Sequence, residues 1–120
     1  MAKIYFLGGS KNGRYEFEDN FPPRVRTPKE WYTKHIIHSV PCYLIESMSP
    51  REFFSQAIAN YALKPRPTAK RLFIGGDYDG CFGETDSRYQ TICLCEDIHI
   101  ELSRELTLAM AVKRLLEAWI

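Results

Sequence analysis

The chain has 120 residues, of which 45% are hydrophobic and 26% are charged, and its formal net charge is +1. This composition is that of a globular protein and excludes intrinsic disorder. The nearly balanced charge argues against a protein that binds nucleic acid over a broad basic surface. No apolar run approaches the about 18 residues of a membrane span, and the amino-terminal residues contain no signal-peptide core. We therefore expect a cytoplasmic protein without a membrane partner, whose four cysteines are free thiols.

One glycine motif occurs twice. The pattern Phe-aliphatic-Gly-Gly-x-x-Asn/Asp-Gly stands at residues 6–13 and returns, without a gap, 67 residues later at 73–80. A β-prone run precedes each copy, and Asn-Gly or Asp-Gly ends it. These dipeptides are typical of type I′ turns, in which both central residues have positive φ. The sequence therefore predicts a β-hairpin with a tight turn near the start of each half.

The first hairpin consists of Lys3–Leu7 and residues 14–18. Lys3–Leu7 is apolar at consecutive positions, which predicts a strand that is buried on both faces. Residues 14–18 alternate between charged and aromatic side chains, which is typical of a half-exposed strand. We expect Tyr15 and Phe17 to face the core, with the intervening glutamates facing water.

Residues 19–34 are the least regular stretch and contain three prolines. A loop of this length inside a small domain is either functional or mobile. Arg24 and Arg26 lie within it, and Trp31 and Tyr32 lie near its end. Tryptophan, tyrosine and arginine are the residue types that dominate binding hot spots. Two interpretations stay open: the aromatic residues cover an edge of the core, or the four residues bind a partner protein.

Helix signals occur in both halves. Ser49-Pro50-Arg51-Glu52 is a capping box with proline at the first helical position, and it predicts the start of the first helix. An apolar stripe follows at Phe54, Ala57, Ile58, Tyr61 and Ala62. Residues 65–68 form a linker to the second half, which contains a hairpin, further strands between residues 89 and 100, and a second helix. We expect this helix to begin near Ser103 and to run to the end of the chain.

The two halves indicate an internal duplication. A shift of 54 residues aligns Ser49 with Ser103 and the stripe of the first helix with that of the second. The predicted fold class is α+β, with two similar β-β-β-α halves at residues 1–64 and 69–120. In this single domain a mainly antiparallel sheet packs against two helices. Such a sheet can leave edge strands unpaired, so a homodimer is an expected assembly.

Three kinds of chemistry have candidate residues. A nucleotide-like ligand could be bound by the two glycine pairs together with nearby basic residues. The candidate residues are Gly8, Gly9, Gly75, Gly76, Arg66, Lys70 and Arg71. However, phosphate loops need a helix after the glycines, and the sequence predicts strands there. No zinc-type cysteine spacing is present, so we expect neither a metal nor another cofactor. A small enzyme could use Cys42 near His38, or Cys95 near His99, or an acidic pair. None of these forms a known catalytic motif, and we assign no catalytic residue.

The opening stretch from Lys3 to Arg14 (Lys-Ile-Tyr-Phe-Leu-Gly-Gly-Ser-Lys-Asn-Gly-Arg) resembles the start of many short, uncharacterised proteins of tailed bacteriophages and prophages. Those proteins begin with a β-run, Leu-Gly-Gly, a few variable residues, and Asp-Gly or Asn-Gly. The resemblance ends by Glu18, is echoed in the second hairpin, and transfers no catalytic residue. It implies the company of small accessory proteins that bind and modify host or defence machinery. One such protein would be a non-enzymatic accessory protein that binds a host or defence component in the host cytoplasm. That is our preferred hypothesis, and the ligand-binding protein and the small enzyme are the alternatives.

Overall fold

A computed structural model describes residues 2–18, 20–65 and 70–120. Within these residues the chain forms two β-sheets and two α-helices, which confirms the predicted α+β class. The chain divides into two compact units, one formed by residues up to Pro50 together with Ile120, and the other by Arg51–Trp119.

The first unit is built on a five-stranded sheet in the order β2-β1-β5-β4-β3. Its strands are β1 (Ala2–Leu7), β2 (Tyr15–Glu18), β3 (Arg24–Arg26), β4 (Trp31–Ile37) and β5 (Val40–Ile45). β1 and β5 pair in parallel, whereas the other neighbours are antiparallel. The stretch 19–34, predicted to be a loop, thus contributes one short strand and the start of another.

Aromatic side chains form the core of the first sheet. Phe6 stacks on Tyr43 with ring centroids 4.8 Å apart and meets Tyr32 edge-on at 5.1 Å. Ile4 and Phe21 complete this cluster. Ile4, Phe6 and Leu7 are fully buried. The predicted burial of both strand faces therefore holds at the consecutive residues Phe6 and Leu7, whereas Lys3 is exposed and Tyr5 is half-buried.

The predicted burial of Tyr15 and Phe17 is wrong, because the two side chains are 49% and 52% exposed. They belong to β2, which lies at an edge of the sheet. Tyr15 packs edge-on against Tyr5 at 5.5 Å, and the Lys3 ammonium lies 4.1 Å from the centre of the Tyr15 ring. The rings therefore pack against one another and a cation on the surface rather than in the core.

The second unit contains a four-stranded sheet in the order β7-β6-β9-β8 and both helices. Its elements are α1 (Pro50–Tyr61), β6 (Arg71–Ile74), β7 (Phe82–Gly83), β8 (Tyr89–Cys95), β9 (Ile98–Ser103) and α2 (Leu108–Trp119). β6 and β9 pair in parallel, as β1 and β5 do in the first unit. The helices touch where Phe53 lies 5.8 Å from Trp119 between ring centroids and Asn60 donates to the Ala118 carbonyl at 3.2 Å.

The start of α1 at Pro50 is as predicted, but the predicted start of α2 is wrong. Ser103 ends β9, and α2 begins after Thr107, whose hydroxyl accepts a hydrogen bond from the Met110 N–H at 3.2 Å. The buried positions of the two 12-residue helices coincide at a shift of 58 residues, since Phe53 corresponds to Ala111. The predicted shift of 54 differs by four residues. An α-helix repeats every 3.6 residues, so a shift of four maps an apolar stripe onto itself.

Both predicted hairpins form, but the tight type I′ turn is wrong. β1 and β2 are joined through a short 3-10 helix at Gly9–Lys11, and Asn12 has a φ of −52° rather than a positive value. Gly13, with a φ of +81°, returns the chain and donates its N–H to the Phe6 carbonyl at 2.9 Å. In the second unit Gly80 repeats this with a φ of +82° and a 2.9 Å bond to Phe73. The repeated motif thus encodes a wider loop of one geometry in both units.

Candidate binding surface

β3 and β4 bring three of the four predicted partner-binding residues together. Arg26 is paired directly with Trp31, and Arg24 lies two residues along the same strand. Side chains two apart on a strand share one face. The guanidinium carbons of Arg24 and Arg26 lie 4.2 and 5.3 Å from the centre of the Trp31 ring. We call these three residues the arginine–tryptophan surface.

The two arginines differ in their charge partners. Arg24 forms an ion pair with Glu46, Nη2 to Oε1, at 2.5 Å. Arg26 is exposed, and within the described residues its side chain has no salt bridge or hydrogen bond. Its guanidinium carries five N–H donors in a planar fork, which fits a carboxylate. The surface therefore presents one neutralised and one unneutralised cation beside an aromatic ring that is half-buried.

Tyr32 is not part of this surface. Successive residues of a strand point to opposite faces, so Tyr32 points into the core where Trp31 points outward. Its hydroxyl donates to the Gly8 carbonyl at 2.6 Å and accepts from the Lys11 N–H at 3.1 Å. Burial is the first cause that raises the pKa of this phenol. Tyr32 thus anchors the first glycine loop.

The first glycine loop, Gly8–Gly13, is occupied by side chains of its own unit. The Gly8 N–H donates to Asn12 Oδ1 at 2.7 Å, and Ser10 donates both its N–H and its hydroxyl to Glu30 Oε1. These bonds lower the pKa of Glu30 below its ordinary value. A Cβ on Gly8, at a φ of +85°, would lie 2.7 Å from Ile45 Cγ2. Gly8 is therefore needed for a close approach of the backbone to β5.

The second glycine loop, Gly75–Gly80, repeats the arrangement. The Gly75 N–H donates to Asp79 Oδ1 at 2.7 Å. Tyr89 takes the place of Tyr32, donating its hydroxyl to the Gly75 carbonyl at 2.6 Å and accepting from the Tyr78 N–H at 3.0 Å. The Asn or Asp of the motif thus closes the loop by binding the amide of the first glycine. Of the four glycines in the ligand hypothesis, Gly8 and Gly75 have this structural role. A Cβ on Gly9 or Gly76 would lie 2.7 or 2.6 Å from the hydroxyl of Tyr32 or Tyr89.

The basic residues of the ligand alternative are engaged elsewhere. Lys70 forms an ion pair with Glu84 at 2.8 Å, and the Arg71 Nε lies 3.0 Å from Glu101 Oε1. Arg66, the third of them, lies outside the described residues. The prediction of a nucleotide-like ligand gains no support from these contacts.

The second unit contains a buried carboxylate that was not predicted from the sequence. The Glu101 side chain is fully buried in β9, where it accepts hydrogen bonds from Arg71 at 3.0 Å, Thr91 at 2.8 Å and Thr85 at 3.3 Å. A buried carboxylate needs such partners, because losing its hydration costs several kcal/mol. The signal in the sequence is a single acidic residue between the apolar neighbours Ile100 and Leu102. These contacts satisfy the carboxylate within the protein.

The two cysteines of the small-enzyme alternative, Cys42 and Cys95, do not have the environment of a nucleophile. Burial raises the pKa of Cys42 to about 12, and burial followed by the nearby Glu96 raises that of Cys95. A reactive cysteine needs the opposite shift, since the thiolate is the nucleophile. Cys81 and Cys93 are exposed. The Cys93 thiol donates to the Glu96 carbonyl at 3.3 Å.

Comparison with known proteins identifies no relative: no protein-family model, no curated protein and no solved structure matches this chain. Within the described residues, neither helix combines the length and the apolar character needed to cross a bilayer.

Proposed function

We propose that this chain is a non-enzymatic binding protein that uses the arginine–tryptophan surface to contact an acidic region of a partner protein. The observation that carries the proposal is that Arg26 lies exposed beside Trp31. Within the described residues, the Arg26 guanidinium forms no ion pair with a carboxylate. An arginine next to an aromatic ring is typical of the anchors that supply most of the binding energy in protein interfaces. Because β3 and β4 hold both side chains, the anchor is ordered before the partner arrives, which lowers the entropic cost of binding.

We further propose that the partner is a host or defence component and that the chain acts in the host cytoplasm as a bacteriophage or prophage accessory protein. This part rests on the opening motif from Lys3 to Arg14. It is independent of the chemistry of the arginine–tryptophan surface. A partner from another source would leave the binding site intact and overturn only the biological setting.

The test compares Arg26→Ala with Arg14→Ala, a matched exposed arginine of the same unit. Proteins captured from a host lysate are identified by mass spectrometry, and the affinity of each purified candidate is then measured. Truncating an anchor arginine costs about 2 kcal/mol, which weakens binding about 30-fold. We expect this loss for Arg26→Ala and unchanged affinity for Arg14→Ala.

Equal affinity of Arg26→Ala and the unaltered protein for every captured partner would overturn the proposed surface. Binding of single-stranded nucleic acid that Arg26→Ala abolishes would replace the protein partner by a nucleic acid. The salt dependence separates these outcomes further, because phosphate contacts release counterions and weaken steeply as salt rises.

A further inference from the structure

Strand β8 is an unusually long and uncharged sheet edge. The edges of the two described sheets are β2, β3, β7 and β8, and the first three have four, three and two residues. β8 has seven residues, Tyr-Gln-Thr-Ile-Cys-Leu-Cys, without a charge or a proline. Short edge strands, charges and prolines are the usual protections against pairing with another chain. β8 has none of these, although a β-bulge between Cys93 and Cys95 interrupts its regular part.

The first unit shows how the same edge is covered there. β4 and β8 occupy equivalent positions, because Tyr32 and Tyr89 each donate to the first glycine of their loop. In the first unit β3 pairs with the outer edge of β4, and the Lys34 N–H donates to the Pro23 carbonyl at 2.8 Å. Within the described residues, β9 alone pairs with β8.

The equivalent of Lys34 is Thr91, which directs its backbone toward the open edge. Lys34 is opposite Tyr43 on β5, and Thr91 is opposite Glu101 on β9. Because the Lys34 N–H points away from β5, Lys34 and Tyr43 form a pair that is not hydrogen-bonded. Thr91 and Glu101 are the equivalent pair, so the Thr91 N–H and C=O groups point away from β9 in the same way. Cys93, two residues on, shares it.

The chain before β8 is too short to supply a covering strand. Twelve residues, 19–30, connect β2 to β4 and contain β3, whereas only residues 84–88 connect β7 to β8. This shorter connection covers the first outward donor alone, as the Tyr89 N–H donates to the Asp86 carbonyl at 3.0 Å. The open edge therefore extends from Thr91 to Cys93, where both side chains are exposed.

We infer that β8 pairs antiparallel with β8 of a second copy of this chain, with Ile92 facing Ile92 across a two-fold axis. This register places Thr91 of each copy opposite Cys93 of the other, so the outward N–H and C=O groups of both residues bond to one another. The two four-stranded sheets then form one continuous sheet.

Charge favours this register over its neighbour. An antiparallel pair centred on Ile92 brings Arg88, which precedes β8, toward Glu96 of the other copy, which follows β8, and these side chains are 51% and 70% exposed. All three guanidinium nitrogens of Arg88 already donate to Asp86 or Asp77 of its own chain, and two of the five N–H groups remain for a further carboxylate. A pair centred on Thr91 would instead oppose Asp86 to Glu96, and like charges directly opposite are destabilising.

Disulfide trapping tests the register. In a background in which Cys81, Cys93 and Cys95 are replaced by serine, Ile92→Cys places two thiols opposite each other in a pair that is not hydrogen-bonded. Cβ atoms in such a pair lie about 4.5 to 5.5 Å apart, close to the separation that a disulfide bridges. Ile36→Cys in the same background is the matched control, because Ile36 is 69% exposed on β4. We expect Ile92→Cys to form covalent dimers on mild oxidation and Ile36→Cys to stay monomeric; equal yields from the two variants would overturn the inference.

A charge substitution gives an independent measurement without oxidation. Ile92→Lys brings two ammonium groups together on the two-fold axis, so we expect the dimer of the unaltered protein to become monomeric in native mass spectrometry and sedimentation. Ile36→Lys should leave the dimer unchanged. Circular dichroism verifies that both variants are folded. The same monomer mass for the unaltered protein and Ile92→Lys over a full dilution series would also overturn the inference.

Discussion

The paired tyrosines of the two glycine loops allow one stability prediction to be made twice in the same molecule. Tyr32→Phe and Tyr89→Phe each remove a buried hydroxyl and keep the ring. Each hydroxyl donates to a glycine carbonyl at 2.6 Å and accepts one backbone N–H at 3.0 to 3.1 Å. Each substitution therefore removes these two hydrogen bonds and leaves a carbonyl and an N–H without their partner. Tyr32→Phe also removes a longer contact of 3.3 Å to Glu30 Oε1.

The expected cost follows from these two bonds. A net contribution of about 1 kcal/mol for each gives a loss of about 2 kcal/mol in the free energy of unfolding for either variant. For a chain of this size, this lowers the melting temperature by about 8 °C, at about 4 °C for each kcal/mol. The two tyrosines share no hydrogen-bond partner, so the losses should add in the double variant to within about 0.5 kcal/mol.

Urea denaturation, followed by fluorescence and circular dichroism, measures these losses. The control is Tyr15→Phe, because the Tyr15 side chain is 49% exposed and its hydroxyl has no hydrogen bond within the described residues. We expect Tyr15→Phe to change stability by less than about 0.5 kcal/mol. Losses of that small size for Tyr32→Phe and Tyr89→Phe would refute the argument that these hydroxyls hold the loops. A large loss for only one of them would refute the equivalence of the two loops.

Two further predictions concern titrating groups. Burial raises the pKa of Cys42 to about 12, whereas Cys81 and Cys93 are exposed. An alkylating reagent at neutral pH should therefore modify Cys81 and Cys93 in the folded protein and Cys42 only after unfolding, which peptide mass spectrometry measures. Labelling of Cys42 in the folded protein at the rate of Cys81 would contradict this prediction. The Ser10 hydroxyl and N–H hold the pKa of Glu30 below its ordinary value of 4.5. The contact therefore stabilises the folded protein at pH values above 4.5, and this stabilisation is lost as the pH falls through the lower pKa of the folded state. In carboxyl-detected NMR titrations Ser10→Ala should raise the midpoint of Glu30, and an unchanged midpoint would show that the hydroxyl has no part in it.

The elements that the sequence predicts well are those with a strong local cause. Proline at the first helical position and a capping serine locate the start of α1 at Pro50. The second helix lacks such a signal at Ser103, and periodicity alone cannot distinguish positions one turn apart. The parallel pairings of β1 with β5 and of β6 with β9 could not be predicted, because they join strands that are distant in the chain.

The wider glycine loops show why a short motif can predict the right element with the wrong turn. Asn-Gly favours a type I′ turn when only backbone conformation is considered. Here the Asn12 and Asp79 side chains instead bind the amides of Gly8 and Gly75, which requires the longer loop. The tyrosine that completes each loop comes from a strand that follows later in the chain, so its contribution has no local signal.

The candidate surface could be predicted only in part for a related reason. Arg24, Arg26 and Trp31 were identified from residue type, and their common face depends on a strand that three prolines obscure in the sequence. Tyr32 is also a residue type that is common in binding sites, but it points inward because successive side chains of β4 alternate between the two faces of the sheet. The buried role of Glu101 depends on Arg71 and Thr85 from other parts of the chain.

Both proposals concern the same structural position in the two units. We propose that the units arose by duplication, since their glycine loops, parallel strand pairs and buried helix positions correspond. On that view, the outer edge of β4 and the outer edge of β8 are equivalent, and the presence of β3 decides what each can bind. Where β3 is present, its backbone closes the edge and its arginines form a surface for side-chain recognition. Where it is absent, the backbone itself remains available, and pairing with a second copy satisfies the groups that β3 satisfies in the first unit.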